Sequence, residues 1–515
     1  MGEPVTARSV DFEAIVIGAG HNGLTCATYL ARHGLRTLLL EARATVGGTA
    51  ASDEFDGATV NICNCDHLTF RTTPIADELD LKSHGLSYID MVPSQLNGDW
   101  ESRRFWALHH DVDETVESLA SVHPAAAAGY RRYAHDTVPV ARLITEAANN
   151  PPTRGSLLGH VLRRGGRGVS KLLRISRMSA VDVMKTYFDD EAVYGPALAT
   201  GPVVWGLSPD TPGTGLGALT YAMKHVAHVG RPVGGSGALP DALLSCFLSA
   251  GGMVRCNTAV VSINCDASSV NSVTTTAGDT VTAACVVSAT DPGRTFVQWL
   301  RNAPTAADGL VRKWERHETQ HGYESKMDAV LTTEPSLVGY DGVASAATMV
   351  ISPTVAEMKR GAEGLADGTV MDRMVLLANI PTLADPSLTS DGSHVLSLEA
   401  LFTPYAIPGG WERSTLPESW LDQFSTFMQD GFRASVRSHR TMTPESYESL
   451  FHLPLGHATS FPGGPLSAFL GRDRELSRYE TPVKGLYLCG AATFPGAGVW
   501  GASGRNAALT IIKRL

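Results

Sequence analysis

Residues 12–41, FEAIVIGAGHNGLTCATYLARHGLRTLLLE, decide the fold. They open with a short apolar run, which predicts a parallel strand buried on both faces. Three glycines follow at the spacing GxGxxG: Gly18 permits a tight turn, Gly20 lets the backbone approach a pyrophosphate, and Gly23 lets the next helix pack close to the strand. A helix predicted over 24–33 turns its free N–H groups towards the phosphates. The stretch therefore predicts a dinucleotide-binding unit.

An acid at the end of the second predicted strand limits the choice of nucleotide. Glu41 follows the strand Thr37–Leu40, where a carboxylate accepts hydrogen bonds from both hydroxyls of a ribose. The same carboxylate would repel a 2′-phosphate, so NADP is not expected at this site. We predict nucleotide contacts from this unit and the chain that follows it, at Gly18, Gly20, Asn22, Gly23, Glu41, Ala42, Arg43, Gly47, Gly48 and Thr49.

A second glycine-rich segment stands near the other end of the chain. Residues 485–512 read GLYLCGAATFPGAGVWGASGRNAALTII. An apolar run there ends at Gly490, a loop with several glycines allows close backbone approach, and a helix is predicted to begin at Ser503. Strand, glycine loop and helix thus recur at both ends, which indicates that both ends hold one ligand.

These features together resemble the phytoene desaturase-like branch of the flavin amine oxidase/phytoene desaturase superfamily. The pair Gly47-Gly48 stands in the pattern E-x5-GG after Glu41, as in that superfamily. The HNGL of the first loop and the pattern CGAxTxPGxGVxGxxGRNAA of the last segment are similar to members named pyridine nucleotide-disulfide oxidoreductase domain proteins. The resemblance is firm over three stretches of the chain, residues 12–75, 229–295 and 455–512.

The resemblance implies FAD as the cofactor. It also implies an α/β fold, in which a Rossmann-like FAD-binding domain is interleaved with an α+β substrate domain containing a mixed or antiparallel sheet. Val260 is then expected to contact the adenine, with core packing as the alternative. Many relatives carry Gly-Asp where this chain has Gly490-Ala491, so Thr493 or backbone N–H groups must replace the acid. The flavin contacts implied for the last segment are Gly490, Ala491, Gly498, Val499, Trp500 and Ala502.

The predicted domains interleave along the chain. The FAD-binding domain is predicted from residues 1–79, 229–295 and 455–515, and the substrate-binding domain from residues 80–228 and 296–454. The first substrate block has a mostly helical pattern, and the second alternates in places like an antiparallel sheet. Such a sheet above the flavin would form an apolar substrate pocket.

Cysteine spacing, the number of nucleotide fingerprints and net charge limit which cofactors and partners the protein can bind. No pair among the eight cysteines forms CxxC, which argues against a redox-active dithiol. The segment Gly234-Gly235-Ser236-Gly237 lacks a buried strand before it, so no second nucleotide fingerprint is predicted. An enzyme with one FAD and no nicotinamide site needs oxygen or a quinone to re-oxidise its flavin. The net charge of −10 argues against nucleic-acid binding.

The sequence gives less direct evidence about where in the cell the protein is located. The N-terminus lacks the apolar stretch of a signal peptide, and no apolar run reaches the roughly 18 residues of a spanning helix, so we expect a cytoplasmic protein. Residues 154–177 combine basic and apolar residues without an acid. This pattern fits peripheral contact with an anionic membrane, and the alternatives are a solvated helical hairpin or a contact in a homo-oligomer.

Catalytic side chains are weakly specified, because a flavin accepts a hydride with little help from the protein. A base for the accompanying proton is sought at Tyr221, His225 and His228, which precede the Gly234-Gly235 turn, with structural roles as the alternative. We expect dehydrogenation of a C–C bond in a mostly apolar molecule by hydride transfer to flavin N5. Amine oxidation, redox-neutral isomerisation or hydration, and an inactive flavin-bearing scaffold remain alternatives.

Overall fold

The computed structural model describes residues 10–63, 66–153, 155, 159, 168–266, 268–340, 346–461, 467–468 and 470–514. Two large sheets and a layer of helices organise them. The strands are β1 (Phe12–Ile17), β2 (Thr37–Leu40), β3 (Ser52–Phe55), β4 (Ala58–Asn61), β5 (Tyr88–Asp90), β6 (Gln95–Asp99), β7 (Phe105–Leu108), β8 (Gly230–Pro232), β9 (Met253–Arg255), β10 (Val260–Cys265), β11 (Val270–Thr275), β12 (Thr280–Ser288), β13 (Leu300–Arg301), β14 (Glu324–Leu331), β15 (Thr348–Ser352), β16 (Val375–Asn379), β17 (His394–Leu401), β18 (Val436–Met442) and β19 (Leu486–Leu488). The α-helices are α1 (His21–Arg32), α2 (Ile75–Glu78), α3 (Val112–Val122), α4 (Ala127–Ala148), α5 (Val169–Ile175), α6 (Ala180–Lys185), α7 (Glu191–Ala199), α8 (Thr220–Lys224), α9 (Ala238–Ser249), α10 (Asp308–Glu315), α11 (Val355–Asp367), α12 (Leu416–Ser425), α13 (Phe432–Ser435), α14 (Pro444–Phe451), α15 (Arg474–Ser477) and α16 (Ala502–Ile512).

The first sheet combines strands from both ends and the middle of the chain. Its order is β13-β10-β11-β12-β1-β2-β9, and β19 also pairs with β12. The pairs β1–β2, β1–β12, β2–β9 and β12–β19 are parallel. Because the carboxyl ends of parallel strands meet at one edge, the loops that follow β1, β2, β12 and β19 lie together there.

The predicted strand–helix–strand unit is confirmed by β1, α1 and β2, although α1 begins at His21 rather than at residue 24. Strand β12, Thr280–Ser288, joins two parts of this sheet. Its first half pairs antiparallel with β11 and its second half parallel with β1. One long strand can therefore connect the antiparallel and parallel parts of the sheet.

The second sheet has the order β18-β14-β17-β16-β15-β6-β7. All its pairs are antiparallel except β6–β15, so the predicted mixed sheet is confirmed. Strands β6 and β7 come from the block expected to be mostly helical, which is a correction. Strand β6, QLNGD, carries polar side chains at its buried positions, so its pattern lacks the apolar alternation that marks a strand.

The two faces of the second sheet have different environments. Met327 of β14 and Leu398 of β17 belong to an apolar core that includes Trp420 of α12. Side chains at alternating positions point to the other face. On that face Val330 of β14 packs with Val60 of β4, so the sheet is turned towards the hairpin β3–β4 of the FAD-binding region.

The basic segment 154–177 lies largely outside the described residues. In its described part, Leu172 and Ile175 of α5 are buried in the helical layer, and Lys171 forms an ion pair with Asp136. The apolar side of α5 therefore packs inside the protein, and the membrane contact of the whole segment stays a prediction. Within the portion of the chain that the structure describes, no helix combines the length and apolarity required to cross a membrane.

Candidate functional site

The loop after β1 requires glycine at two positions for reasons internal to the protein. Gly18 has φ +95°, which L side chains rarely adopt, and its N–H donates to the carbonyl of Leu40 at 2.8 Å. A Cβ at Gly23 would lie 2.0 Å from the carbonyl oxygen of Gly18. Close packing of α1 on its own loop therefore excludes any side chain at residue 23.

Gly20 is different, because no contact with the described part of the chain requires it to be glycine. Its φ of −66° suits any residue, and a Cβ built there meets no atom of the described residues within 4 Å. The second glycine pair approaches the same point: a Cβ at Gly48 would lie 3.2 Å from the Cα of Gly20, and the N–H of Gly47 donates to Ala19 at 2.8 Å. The open space beside Gly20 is where a pyrophosphate would contact the backbone.

Glu41 is held at the edge of this space. The backbone N–H of Ala19 donates to its Oε2 at 2.8 Å, and the N–H of Arg43 donates to its Oε1 at 2.9 Å. Each carboxylate oxygen retains acceptor capacity for a ribose hydroxyl. Among the described residues, two buried polar atoms nearby have no hydrogen-bond partner, Asn22 Oδ1 and Arg43 Nη1. Unpaired buried polar atoms are rare, so both atoms support a polar ligand here.

The segment at the other end of the chain completes the candidate cofactor site. We call this site the cradle; it consists of the loop after β1, the start of α1 and the start of α16. A Cβ at Gly504 of α16 would lie 2.0 Å from the carbonyl oxygen of Asn22 in α1, so the two helices pack backbone to backbone. Neither helix has a side chain that caps its N-terminus. Both therefore leave first-turn N–H groups for a ligand, and both bring partial positive charge to it.

The loop 496–500 is anchored by residues that the sequence did not single out as ligand contacts. The ring Nε2 of His21 lies 3.2 Å from the carbonyl oxygen of Gly498, and the hydroxyl of Thr69 donates to that of Val499 at 2.6 Å. Trp500 donates from Nε1 to Ala497 at 3.1 Å, so its indole is fixed inside the loop. Burial lowers the pKa of His21 to about 4, so its ring is neutral near pH 7.

Two candidates could replace the acid that is missing at Ala491: the hydroxyl of Thr493 and backbone N–H groups. Their hydrogen bonds distinguish them. Thr493 is fully buried, and its hydroxyl donates to Gly490 at 3.0 Å and contacts the hydroxyl of Ser503. Ser503 in turn accepts the N–H of Gly490 at 2.8 Å. Since Thr493 is used within the loop, backbone N–H groups are left as the donors to a ligand.

The remaining predicted contacts lie beside Glu41. The N–H of Thr258, two residues before Val260, donates to the carbonyl of Glu41 at 2.8 Å, and the N–H of Asn257 donates to that of Arg43 at 2.9 Å. Val260 itself is buried in the core that contains Trp500. Ala42 and Thr49 are half-buried. The structure thus brings the predicted N-terminal, middle and C-terminal cofactor residues to one edge of the first sheet.

The predicted catalytic residues are not brought to this edge. Tyr221 lies in the helical core and donates to the carbonyl of Val193 at 2.9 Å. His225 uses Nε2 with the hydroxyl of Tyr130 and Nδ1 with the carbonyl of His110, both at 2.9 Å. His228 is exposed, and its ring stacks on that of His110 at 3.8 Å. Their contacts are those of structural residues, because α8 belongs to the helical layer rather than to the cradle.

Comparison with known proteins agrees with this geometry. Residues 23–295 match the family model described as flavin containing amine oxidoreductase. The chain is 27% identical to pyridine nucleotide-disulfide oxidoreductase domain-containing protein 2 of Rattus norvegicus, over 98% of this chain and 94% of that protein. It is 26% identical to one of the subunits of the limonene dehydrogenase of Castellaniella defragrans, over 97% and 94% of the two chains.

Two further likenesses cover almost the whole chain. Phytoene desaturase (lycopene-forming) of Pseudescherichia vulneris is 24% identical over 98% of this chain and 99% of its own. A structure of wild-type putrescine oxidase bound to putrescine superposes with a TM-score of 0.65 at 17% identity, over 98% and 99% of the two chains. The chain therefore belongs to the family of flavin containing amine oxidoreductases, as an FAD-dependent oxidoreductase of the phytoene desaturase-like branch.

Proposed function

We propose that this enzyme dehydrogenates a C–C single bond in a mostly apolar small molecule. The observation that carries the proposal is the cradle formed by α1 and α16, with open space at Gly20 and no protein cap on either helix. The whole-length likeness to a limonene dehydrogenase and to a phytoene desaturase favours a hydrocarbon-like substrate over an amine.

The chain's own residues have definable tasks in this reaction. When bound, FAD supplies a hydride acceptor at N5. The uncapped N–H groups at the start of α16 would hold the flavin and favour negative charge on it. Trp500, anchored through Ala497, would help to keep water out of the site.

Re-oxidation by oxygen or a quinone is part of the proposal, since the sequence offers one nucleotide fingerprint. We also propose a cytoplasmic location. Cys26, Cys246, Cys256, Cys265, Cys285 and Cys489 carry thiols that form no disulfide among the described residues, which supports a reducing compartment.

The test is an absorbance titration of the purified holoenzyme under anaerobic conditions. Polyenes, fatty acyl compounds and amines are added separately, and bleaching of the flavin bands is followed together with product analysis. We expect bleaching by one unsaturated or acyl class and formation of a new C=C bond. Bleaching by amines alone would replace the proposal with amine oxidation, and product without bleaching would replace it with isomerisation or hydration.

A further inference from the structure

Glu324 belongs to a buried group of titratable side chains that the cradle does not use. It is the first residue of β14 and has an exposed fraction of 2%. The Sγ of Cys63 donates a hydrogen bond to its Oε1 at 3.4 Å. Tyr323 and Tyr447 are its other polar neighbours, since the hydroxyls of both act on the carboxyl of Glu324 and lower its pKa. We call Glu324, Cys63, Tyr323 and Tyr447 the Glu324 cluster.

The Glu324 cluster lies on the face of the second sheet that is turned towards the FAD-binding region. Side chains alternate along a strand, so Glu324 and Val330 of β14 point to the same face. Val330 packs with Val60 of β4 on that face. Cys63 follows β4 by two residues, so its hydrogen bond to Glu324 joins the second sheet to the segment that leaves the hairpin β3–β4.

One side of the Glu324 cluster is connected to the cradle through Gly48. Ile62, the neighbour of Cys63, donates its N–H to the carbonyl of Ala51 at 3.1 Å, and Ala51 donates its N–H to the carbonyl of Gly48 at 3.3 Å. A Cβ at Gly48 would lie 3.2 Å from the Cα of Gly20, where the pyrophosphate is expected. Two backbone hydrogen bonds therefore lead from the residue beside the cluster to the edge of the cradle.

The other side of the Glu324 cluster is connected to the loop 496–500. The ring of Tyr323 meets that of His457 edge to face, with the ring centroids 5.0 Å apart. Three residues later along the chain, the hydroxyl oxygen of Ser460 accepts the N–H of Ala497 at 3.3 Å. Three residues span at most about 11 Å, so Tyr323 is close to the loop that is predicted to contact the flavin. The Glu324 cluster thus lies between this loop and the cradle.

The surroundings of Glu324 suit it to take up a proton. Burial raises the pKa of Glu324, whereas the hydrogen bond from Cys63 and the charge of Lys326 act in the opposite direction. The ammonium of Lys326 is paired with Asp328, and Glu399 of β17 is the register partner of Lys326. A buried carboxylate binds a proton more readily than one in water. Such a group can act as a general base.

We propose that the carboxylate of Glu324 accepts the proton that the substrate loses when its C–C single bond becomes a double bond. The inference rests on the proposed dehydrogenase function and supplies the general base for it. One carbon gives up a hydride, whose electron pair passes to the flavin. The neighbouring carbon gives up a proton to Glu324, and the electron pair of that C–H bond becomes the second bond of the C=C. The negative charge of Glu324 also favours the positive charge that develops on the substrate as the hydride leaves.

The first test asks whether Glu324 faces the substrate, and it needs no turnover. Hexyltrimethylammonium carries a fixed positive charge like that of the developing cation, and its neutral isostere has a tert-butyl group in place of the trimethylammonium group. Both compounds are titrated into the oxidised holoenzyme and followed by flavin absorbance and calorimetry. We expect the cation to bind at least about tenfold more tightly than the isostere, and this ratio to rise with pH as the carboxyl of Glu324 loses its proton.

Variants assign this preference to one carboxyl. Glu324→Gln keeps the size of the side chain but not its charge, and it should reduce cation affinity about tenfold and leave isostere affinity unchanged. Glu101→Gln removes an exposed carboxylate, whose side chain is 67% accessible, and is the matched control. FAD content and thermal unfolding show that each variant is folded. If Glu324→Gln does not fold, Glu324→Asp, which should keep the preference, and the pH dependence of the wild-type ratio decide.

The second test follows flavin reduction in a single anaerobic turnover, with the polyene or acyl compound that bleaches the flavin. In wild type the rate should rise with pH and level off once Glu324 is ionised, because only the carboxylate can accept a proton. Glu324→Gln should be slower by at least about 100-fold at the plateau and should lose this pH dependence. The affinity for the neutral substrate, taken from the concentration dependence of the rate, should change little.

A cation that binds no better than its isostere, or a preference that survives in Glu324→Gln, would overturn the proposal. These outcomes are distinct from a failure of the proposed function. A holoenzyme that no compound reduces refutes dehydrogenation, while a cation preference that depends on Glu324 still shows that this carboxyl faces the substrate. A holoenzyme that is reduced as fast in Glu324→Gln as in wild type refutes the general base alone.

Discussion

Gly20 caps the start of α1 and Gly23 lies in its first turn, and the two glycines meet different constraints. A Cβ at Gly20 enters open space, whereas a Cβ at Gly23 collides with Gly18 at 2.0 Å. We therefore expect Gly20→Ala to fold normally and to lose FAD, because its methyl group takes the space of the pyrophosphate. Gly23→Ala should lose soluble, folded protein, because the helix must move away from the strand. Flavin content and circular dichroism measure both outcomes.

A third glycine, Gly34, provides the control for this comparison. Gly34 has open space around its Cβ, as Gly20 does, but it has φ +91° and lies at the far end of α1. Gly34→Ala should be mildly destabilising and should retain FAD. Retention of stoichiometric FAD by Gly20→Ala would contradict the assignment of the open space to the cofactor.

The buried side chain of His67 should make the free energy of unfolding depend on pH. Its Nε2 lies 2.8 Å from the hydroxyl of Ser236, and burial lowers the pKa of His67 to about 3. The unfolded state takes up a proton below about pH 6.5, but the folded state does not until about pH 3. The stabilising contribution is therefore complete above about pH 6.5 and decreases by about 1.4 kcal/mol per pH unit between these values.

We expect His67→Gln to remove this part of the pH dependence. Urea unfolding at about pH 7 and pH 5 should show a smaller loss of unfolding free energy in the variant than in wild type, by about 2 kcal/mol. His33→Gln replaces an exposed imidazole and should keep the wild-type slope. Equal slopes in wild type and His67→Gln would show that the buried ring is not the source.

How much of the site could be predicted depends on whether its geometry is local. The glycines and Glu41 were predictable, because strand, turn and helix fix their relative positions within a short segment. Thr69 and His21 were not predicted as anchors of the loop 496–500, since their partners are more than 400 residues away.

Among the elements, β14 shows how a strand with charged side chains on one face can be buried on both faces. Its sequence ESKMDAVL alternates charged and apolar residues, which is typical of a strand with one face in water. Here that face is covered, and Lys326 pairs with Asp328 while Arg440 of β18 lies 3.3 Å from Asp328. The network joins β14 and β18 across a face that the alternation alone would assign to solvent.

Breaking this network should lower the free energy of unfolding. Lys326→Met leaves the buried Asp328 with Arg440 as its remaining partner, and removing one partner of a buried pair costs about 3–5 kcal/mol. Lys359→Met breaks an exposed pair with Asp210 and should cost no more than about 1 kcal/mol. Denaturant unfolding of both variants measures the difference. Equal stabilities would mean that the network contributes no more than a surface pair.

At the scale of the whole molecule, the interleaving was more predictable than the order of the second sheet. Two glycine-rich segments predicted that both ends of the chain meet at one ligand, and β1 and β19 do flank β12. Pairings such as β6 with β15 depend on the packing of segments about 250 residues apart, which no local pattern records. The predicted domain boundaries at residues 79, 228, 295 and 454 stay a prediction.

Because the predicted FAD contacts come from both ends of the chain, FAD binding should stabilise the molecule as a unit. A ligand that binds only the folded state adds about 2.7 kcal/mol when its free concentration is about 100 times its Kd. We expect the midpoint of thermal unfolding to rise steadily with added FAD in deflavinated wild-type protein. Gly20→Ala should unfold at the same temperature with and without FAD, because its cradle is blocked while its packing is intact. An unfolding midpoint that does not respond to FAD in wild type would show that the folded protein does not bind FAD. A midpoint that rises equally in both proteins would show that Gly20 does not contact it.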